Sequence, residues 1–301
     1  PCGSLTREDA LEEIKQIADT LTVLRDGRVV GDLSIENASI DQIIRMMVGR
    51  EIKDQYERQY HLHGEEVLRT ENLGAKRFSN VNISLHRGEI VGLSGLVGAG
   101  RTEIAKTIFG EDAIEKGSVY IYGKKYQRMS TQKATRLRIG LVPEDRKEEG
   151  AIMEMPIRHN IVHAVLPRLF KSAVISRKTE LSVAKKYMEE LGIRAPSVNK
   201  LVKLLSGGNQ QKVVIAKWVC ADCEILIFDE PTRGIDVGAK AEIYGIMSEL
   251  VERGKAILMI SSDLPELIGM CDRIYTIKDG MVTAEFSRTE ATQEKILAAC
   301  V

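Results

Sequence analysis

Residues 205–212 read LSGGNQQK, and residues 225–231, a short distance downstream, read ILIFDEP. The two adjacent glycines leave backbone N–H groups open at the start of a helix, where the helix dipole attracts phosphate. The apolar residues that follow predict a buried strand. That strand delivers Asp229 and Glu230 to the carboxyl edge of a sheet, where ligands of open α/β folds bind. The order and spacing of these pieces predict a phosphate-binding α/β fold.

A second phosphate-binding pattern lies earlier in the chain. An apolar strand runs into GLVGAGRT at residues 95–102, and a helix is predicted from Thr102 to Phe109, closed by Gly110. Strand, glycine loop and helix are the context of the G-x-x-x-x-G-K-[ST] motif, here with Arg101 in place of lysine. We expect the loop N–H groups to cradle phosphates and Thr102 to offer its hydroxyl to Mg²⁺. Arginine keeps the positive charge, but its planar fork is bulkier than an ammonium. The loop glycines are Gly95, Gly98 and Gly100.

The two carboxylates after the buried strand supply the remaining chemistry of a phosphoryl-transfer site. We expect Asp229 to hold Mg²⁺, directly or through water. Glu230 is placed to orient and deprotonate an attacking water. The alternative for Glu230 is a carboxylate with a structural partner at a strand end.

Composition narrows the class of protein. The 301 residues carry 43 Lys plus Arg and 43 Asp plus Glu, so no net charge indicates a nucleic-acid or anionic-membrane partner. No apolar run approaches the ~18 residues that suggest a membrane span, and we expect a soluble chain. Cys220 and Cys223 form a C-x-x-C without the second pair or spaced histidines of a zinc site, so we expect cytosolic thiols.

An internal repeat divides the chain. DTLTVLRDGRV at residues 19–29 returns as DRIYTIKDGMV at residues 272–282, a constant offset of 253, and both copies predict a hairpin that turns at Asp-Gly. We therefore expect the chain to open near the end of one domain and to carry one complete domain after it. The expected boundaries are a tail at 1–49, a charged linker at 50–66 and a complete domain at 67–301.

Within that complete domain, periodicity changes along the chain. Alternation at 67–73 and 81–85 predicts antiparallel strands. A mostly helical subdomain is expected at about 150–205, interrupted by Pro167, with Gly192 as the stop of one helix.

Four motifs together resemble the ABC-type ATPases, and more narrowly the second half of the tandem ATPases that drive bacterial monosaccharide import. They are GLVGAGRT at 95–102, VPEDRK at 142–147, LSGGNQQK at 205–212 and DEPTRGIDVGAK at 229–240. The resemblance implies an α/β P-loop NTPase of ABC type, with a RecA-like core, an antiparallel β subdomain and a helical subdomain. It implies ATP and Mg²⁺ as cofactors, and residues 1–49 as the tail of a first ABC domain.

The resemblance also implies partners and a location. The partners are the missing first ABC domain of the same polypeptide, two membrane permease subunits and, indirectly, a periplasmic sugar-binding protein, with no nucleic acid. The expected location is the cytoplasmic face of the cell membrane, as a peripheral protein.

Family geometry assigns further site residues. Glu144 stands where a glutamine that touches metal is usual, so it is a further candidate for Mg²⁺, and Ser262 stands where a histidine usually contacts the γ-phosphate. Asp236 lies in the loop that crosses to the partner domain. Because the two halves pair head to tail, we expect this domain's own site to bind ATP but hydrolyse it slowly. Its signature would complete the partner's site, through Ser206, Gly207, Gly208 and Gln210.

Two other readings stay open at this point. One is a non-transport ABC ATPase that acts on nucleic acid, and the other is a regulatory nucleotide-binding module without catalysis. The sequence does not identify the sugar, and Phe78 is the nearest candidate for stacking on adenine.

Overall fold

The computed structural model describes residues 18–25, 28–34, 46, 63–166 and 176–300. The strands are β1 (Thr20–Arg25), β2 (Arg28–Ser34), β3 (Glu66–Ala75), β4 (Phe78–Val81), β5 (Ser84–His86), β6 (Ile90–Gly95), β7 (Lys116–Ile121), β8 (Lys124–Tyr126), β9 (Ile139–Val142), β10 (Ile225–Asp229), β11 (Ala256–Ile260), β12 (Arg273–Lys278) and β13 (Met281–Ser287). The α-helices are α1 (Arg101–Phe109), α2 (Thr131–Arg136), α3 (Ile157–Val162), α4 (Arg177–Glu190), α5 (Gly207–Cys220), α6 (Val237–Glu252), α7 (Leu264–Met270) and α8 (Gln293–Cys300). A π-helical turn spans Arg146–Gly150, and 3₁₀ turns span His163–Val165 and Val202–Leu204.

The central sheet has the order β13-β12-β6-β11-β10-β9. All its neighbouring strands are parallel except the edge strand β13, which is antiparallel to β12. Every residue of β10 and β11 is buried, as expected of parallel strands covered on both faces. Because β6, β11 and β10 are neighbours, their carboxyl ends meet at one edge. The glycine loop, the Asp229–Glu230 pair and Ser261–Ser262 follow those ends.

A second, antiparallel sheet has the order β4-β3-β7-β8, with β5 also paired to β3. It confirms the antiparallel interpretation of 67–73, but the expected strand at 81–85 is interrupted. β4 ends at Val81 and β5 begins at Ser84. The break has a local cause: Asn80 has a left-handed φ of 53°, and the Asn82 side chain accepts from the Asn72 N–H at 2.8 Å. Side-chain bonding to nearby backbone thus replaces part of the ladder.

Glycines end two helices where the sequence predicts. Gly110 has a φ of 83°, and its N–H caps the carbonyls of Lys106 and Thr107 at the end of α1. Gly192, with a φ of 59°, follows the end of α4. Left-handed backbone is inexpensive for glycine, which explains both stops.

The repeated segments form hairpins of the same geometry. Thr20 faces Ser34 in the first copy, and Arg273 faces Ser287 in the second, which is the same pairing at an offset of 253. Each copy carries its bulge at the same place, between Val23 and Leu24 and between Thr276 and Ile277. The first Asp-Gly turn, most of the 1–49 tail and residues 50–62 of the linker lie outside the described residues.

One hydrophobic cluster runs from Val67 to Cys300 and fills the space around the central sheet. Cys220, Cys223, Cys271 and Cys300 are all buried. In the part of the chain that the structure describes, no three His, Cys, Asp or Glu residues are grouped to hold a metal. None of its helices is both long and apolar enough to cross a membrane.

Candidate functional site

A cavity of about 1080 Å³ opens at the carboxyl edge of the central sheet. It brings together most of the predicted site residues from five separate stretches of chain. Those on its wall are Gly98, Gly100, Arg101, Thr102, Glu144, Ser206, Gly207, Glu230, Asp236 and Ser262. Gly95, Gly208, Gln210 and Asp229 lie behind the wall rather than on it.

The glycine loop has the backbone that phosphate binding requires. Gly98 and Gly100 have φ values of 85° and 100°, a left-handed conformation that glycine adopts without strain. A Cβ at Gly98 would meet no atom within 4 Å, so the loop is open there to a ligand. Gly95 has a different function, since a Cβ would lie 2.6 Å from the Ile277 carbonyl oxygen. Its glycine allows close packing of β6 against β12.

Asp229 has the environment of a metal ligand. Its side chain is 2 % exposed, and Oδ1 has no hydrogen-bond partner. Burial raises the pKa of this carboxyl to about 6, while a hydrogen bond from Thr102 acts in the opposite direction. A buried, unpartnered carboxylate oxygen beside a hydroxyl fits Mg²⁺, which is coordinated by oxygen ligands. The Thr102–Asp229 metal pair stays a prediction that this environment would fit.

Glu230 is held at the mouth of the site in a strained backbone. Its φ is 45°, which is uncommon for a non-glycine residue, and such strain clusters at functional sites. Ser262 Oγ donates to Glu230 Oε2 at 3.1 Å, and an Arg101 guanidinium nitrogen lies 3.6 Å from Oε1. Burial raises the pKa of the Glu230 carboxyl, although Ser262 and Arg101 both oppose that shift.

Arg101 points toward the end of β11. It is 8 % exposed, and its guanidinium donates to the Ser261 carbonyl at 2.8 Å as well as approaching Glu230. The arginine of the glycine loop therefore contacts both the neighbouring strand end and the candidate base.

The signature turn is shaped by packing as well as by backbone N–H groups. Ser206 is the N-cap of α5, but its hydroxyl caps no backbone N–H and accepts from Asn209 Nδ2 at 2.9 Å. A Cβ at Gly208 would lie 2.4 Å from Ala239 Cβ, so this glycine lets α5 contact the start of α6. Gln210 is buried, and its amide donates to the carbonyls of Val202 and Leu205. It supports the turn from behind.

The structure gives two other predicted residues local partners. The Glu144 carboxylate is ion-paired with the Arg233 guanidinium, so its proposed contact with metal stays a prediction. Asp236 is the N-cap of α6 and accepts from the Ala239 N–H at 3.0 Å. Both line the cavity.

The suggestion of Phe78 as the adenine-stacking residue is wrong. Its ring is 4 % exposed and belongs to the hydrophobic core, because the inward face of β4 packs there.

Two residues that contribute contacts around the site were not identified from the sequence. Glu266 is 1 % exposed and accepts from Thr232 Oγ1 at 2.6 Å and Ser261 Oγ at 2.9 Å. Arg146 bonds to loops far away in sequence. An acid in the first turn of a helix carries no special local signal, and the VPEDRK motif at 142–147 includes Arg146 without indicating what it contacts.

Comparison with known proteins identifies the family of this chain. The sequence model of the ABC transporter family matches residues 78–233. The ribose import ATP-binding protein RbsA of Clostridium tetani is 45% identical over 289 residues, covering 95% of this chain and 57% of that protein. The xylose import ATP-binding protein XylG of Thermoanaerobacter pseudethanolicus is 44% identical over 296 residues, covering 95% of this chain and 59% of its own length. The chain thus spans less than two thirds of these relatives.

Solved structures agree on the fold. A nucleotide-free ATP-binding cassette from an ABC transporter superposes with a TM-score of 0.67 at 22% identity, covering 79% of this chain and 99% of its own. A cassette in a post-hydrolysis state, bound to ADP and Pi, gives a TM-score of 0.64 at 23% identity, covering 73% of this chain and 98% of its own. The chain therefore belongs to the ABC transporter family and has the α/β fold of its ATP-binding cassettes.

Proposed function

We propose that this chain is part of the ATP-driven energising subunit of a bacterial monosaccharide importer. The observation that carries the proposal is the cavity lined by the glycine loop, Glu230 and Ser262 at one sheet edge, with Asp229 behind its wall. The names of the relatives add the cargo class, since they are import or transport proteins for ribose, xylose and L-arabinose. The proposed partners are two membrane permeases and a sugar-binding protein, and the proposed location is the cytoplasmic membrane face.

A tandem arrangement is part of this proposal. The β1–β2 and β12–β13 hairpins share register and bulge position at an offset of 253. Two ends of homologous domains would produce that match, because register in a hairpin follows from turn and bulge geometry. Residues 1–49 are then the end of a first ABC domain, and 67–301 form the second.

Mg²⁺, when bound, would neutralise charge on the phosphates. Thr102 and Asp229 are the residues that would hold it. The N–H groups around Gly98 and Gly100 would bind the phosphates, and the Glu230 carboxylate would accept the proton of an attacking water at Oε1 or Oε2. The side chain at 262 is a hydroxyl that already donates to Glu230.

The contacts of Arg101 support slow hydrolysis at this domain's own site. Its guanidinium lies against the Ser261 carbonyl and near Glu230, where its positive charge opposes the rise in the carboxyl pKa that burial causes and so makes Glu230 a weaker base than burial alone would. We therefore propose that this site binds ATP and turns it over slowly. The signature turn of the same domain would complete the faster site formed with the glycine loop of the other half.

The test uses the two-domain polypeptide in a steady-state ATPase assay. Gly207→Asp places bulk and negative charge where the phosphate of the other half's ATP would bind, and we expect turnover to fall by at least about a hundredfold. Glu230→Gln removes the base of the slow site, and we expect more than about half of the turnover to remain. An equal loss in the two variants would contradict the proposed asymmetry. Uptake of labelled pentoses and hexoses by cells that lack the intact protein would identify the sugar.

A further inference from the structure

Arg146 connects three motifs that are distant in sequence. It lies at the start of the π-helical turn that follows β9, and it is half-buried. Its guanidinium donates to the Arg233 carbonyl at 2.9 Å and to the Gly234 carbonyl at 3.3 Å. Its Nε approaches Gln210 Oε1 at 3.4 Å. One side chain thus bonds both to the loop at 232–236, the crossing loop, and to the signature helix α5.

The position of Arg146 is fixed by packing at both ends of its turn. At one end, a Cβ at Gly207 would lie 2.9 Å from an Arg146 guanidinium nitrogen, so the arginine lies against the glycine backbone of the signature. At the other end, Lys217 Nζ donates to the Gly150 carbonyl at 2.7 Å. A Cβ at Gly150 would lie 3.0 Å from Val214 Cγ2. The turn is therefore packed closely against α5.

The charge of Arg146 is not balanced by an ion pair among the described residues. Its hydrogen-bond acceptors are two carbonyl oxygens and one amide oxygen, all of them neutral. Burial lowers the pKa of the guanidinium, although Asp145 opposes that effect. An unpaired, half-buried cation is unfavourable for the isolated domain. Its position beside the N-terminus of α5 adds to the positive potential of that helix end.

We infer that Arg146 is a positioning residue for the composite nucleotide site. It holds the signature turn and the crossing loop together as one rigid surface that faces the ATP of the other half. A planar fork with several donors can reach two carbonyls and an amide together, whereas a lysine ammonium presents a single point. This inference rests on the proposed function, in which the signature serves the other half's site.

The test compares Arg146→Gln and Arg146→Lys in the two-domain polypeptide, with Arg253→Gln as the matched control. Arg253 is exposed, precedes β11 at the opposite end of that strand from Ser262, and pairs with Glu190 and Glu249. We expect kcat for ATP to fall at least about tenfold in Arg146→Gln and less in Arg146→Lys, because charged hydrogen bonds of this kind are lost. The affinity of this domain's own glycine loop for a fluorescent ATP analogue should stay unchanged.

Amide hydrogen exchange in the single chain tests the structural step directly. In Arg146→Gln we expect faster exchange at 205–210 and at 232–236 together, with the strands of the central sheet protected as before. Arg253→Gln should leave both segments unchanged. This paired response distinguishes positioning of two loops from general loss of stability.

The outcomes separate the two proposals. An active parent polypeptide in which Arg146→Gln behaves like Arg253→Gln would overturn the inference alone. A parent polypeptide without ATP turnover would overturn the proposed function, and the role of Arg146 with it.

Discussion

Asp229 and Glu230 are adjacent, yet their surroundings give them different chemistry. Asp229 is the last residue of a fully buried strand, and one of its oxygens has no partner. Glu230 turns out of that strand with a φ of 45°, and Ser262 and Arg101 contact its two oxygens. Asp229 is suited to hold a cation, whose positive charge would stabilise the buried carboxylate. Glu230 is oriented by its neighbours at the mouth of the cavity.

The raised pKa of Asp229 leads to a prediction about pH and stability. Because its pKa is about 6 in the fold and 3.8 in the reference state, the folded domain binds this proton more tightly. The contribution of the protonated Asp229 carboxyl to the free energy of unfolding is therefore fully present below pH 3.8 and is lost as pH rises through 6. The loss is at most about 3 kcal/mol, since one pKa unit corresponds to about 1.4 kcal/mol. Asp229→Asn should accordingly raise the unfolding free energy at pH 7.5 without Mg²⁺, and the gain should shrink toward pH 4.

Urea unfolding of both proteins in EDTA, at pH 7.5 and pH 4.5, measures this difference. Asp112→Asn changes an exposed carboxylate and should show no such gain. A second readout is the stabilisation by ATP with Mg²⁺, which Asp229→Asn should lose. An Asp229→Asn protein that is less stable than its parent at pH 7.5 would show that the buried charge does not destabilise the domain in the absence of Mg²⁺.

At the scale of one element, the glycine at the end of α1 is required for two reasons, its left-handed backbone and its close approach to the start of α2. Gly110 has a φ of 83°, and a Cβ would lie 2.5–2.7 Å from three backbone atoms of Ser130. Gly123 has a similar φ of 72°, but a Cβ there would meet nothing within 4 Å. Gly123→Ala should therefore cost only the left-handed strain, about 1 kcal/mol. Gly110→Ala should cost at least about 2 kcal/mol more, because backbone atoms must move. Equal losses in thermal unfolding would mean that α2 adjusts freely around the new methyl group.

Local patterns in the sequence predicted local structure well. The α1 helix with its Gly110 stop, the buried strand β10 and the second Asp-Gly hairpin each follow from a few consecutive residues. Contacts between distant segments were not predictable in this way. The burial of Phe78, the Glu144–Arg233 ion pair and the bonds of Arg146 depend on how loops meet after folding. Neither hydrophobic periodicity nor the residue preferences of turns predict contacts between loops that are distant in sequence.

At the scale of the whole molecule, the two ends of the described chain differ in whether they belong to the hydrophobic core. The hydrophobic cluster begins at Val67 and includes Ile296 and Cys300 of α8. Val23 of β1 is buried but does not belong to that cluster. The described core is thus complete without the first hairpin, whereas the last helix is part of it.

These differences predict opposite effects of two truncations. Removing residues 1–62 should change the melting temperature by no more than about 2 °C and should preserve binding of a fluorescent ATP analogue, since the core from Val67 onward is intact. Removing residues 293–301 exposes the cluster where Ile296, 0 % exposed, now packs. Loss of such a side chain costs about 2–5 kcal/mol, which corresponds to a fall of roughly 5–15 °C in a domain of this size. Differential scanning calorimetry of both truncations measures the contrast. A large fall in the first truncation would mean that the β1–β2 hairpin is an integral part of this domain, and it would remove the structural basis for assigning residues 1–49 to another one.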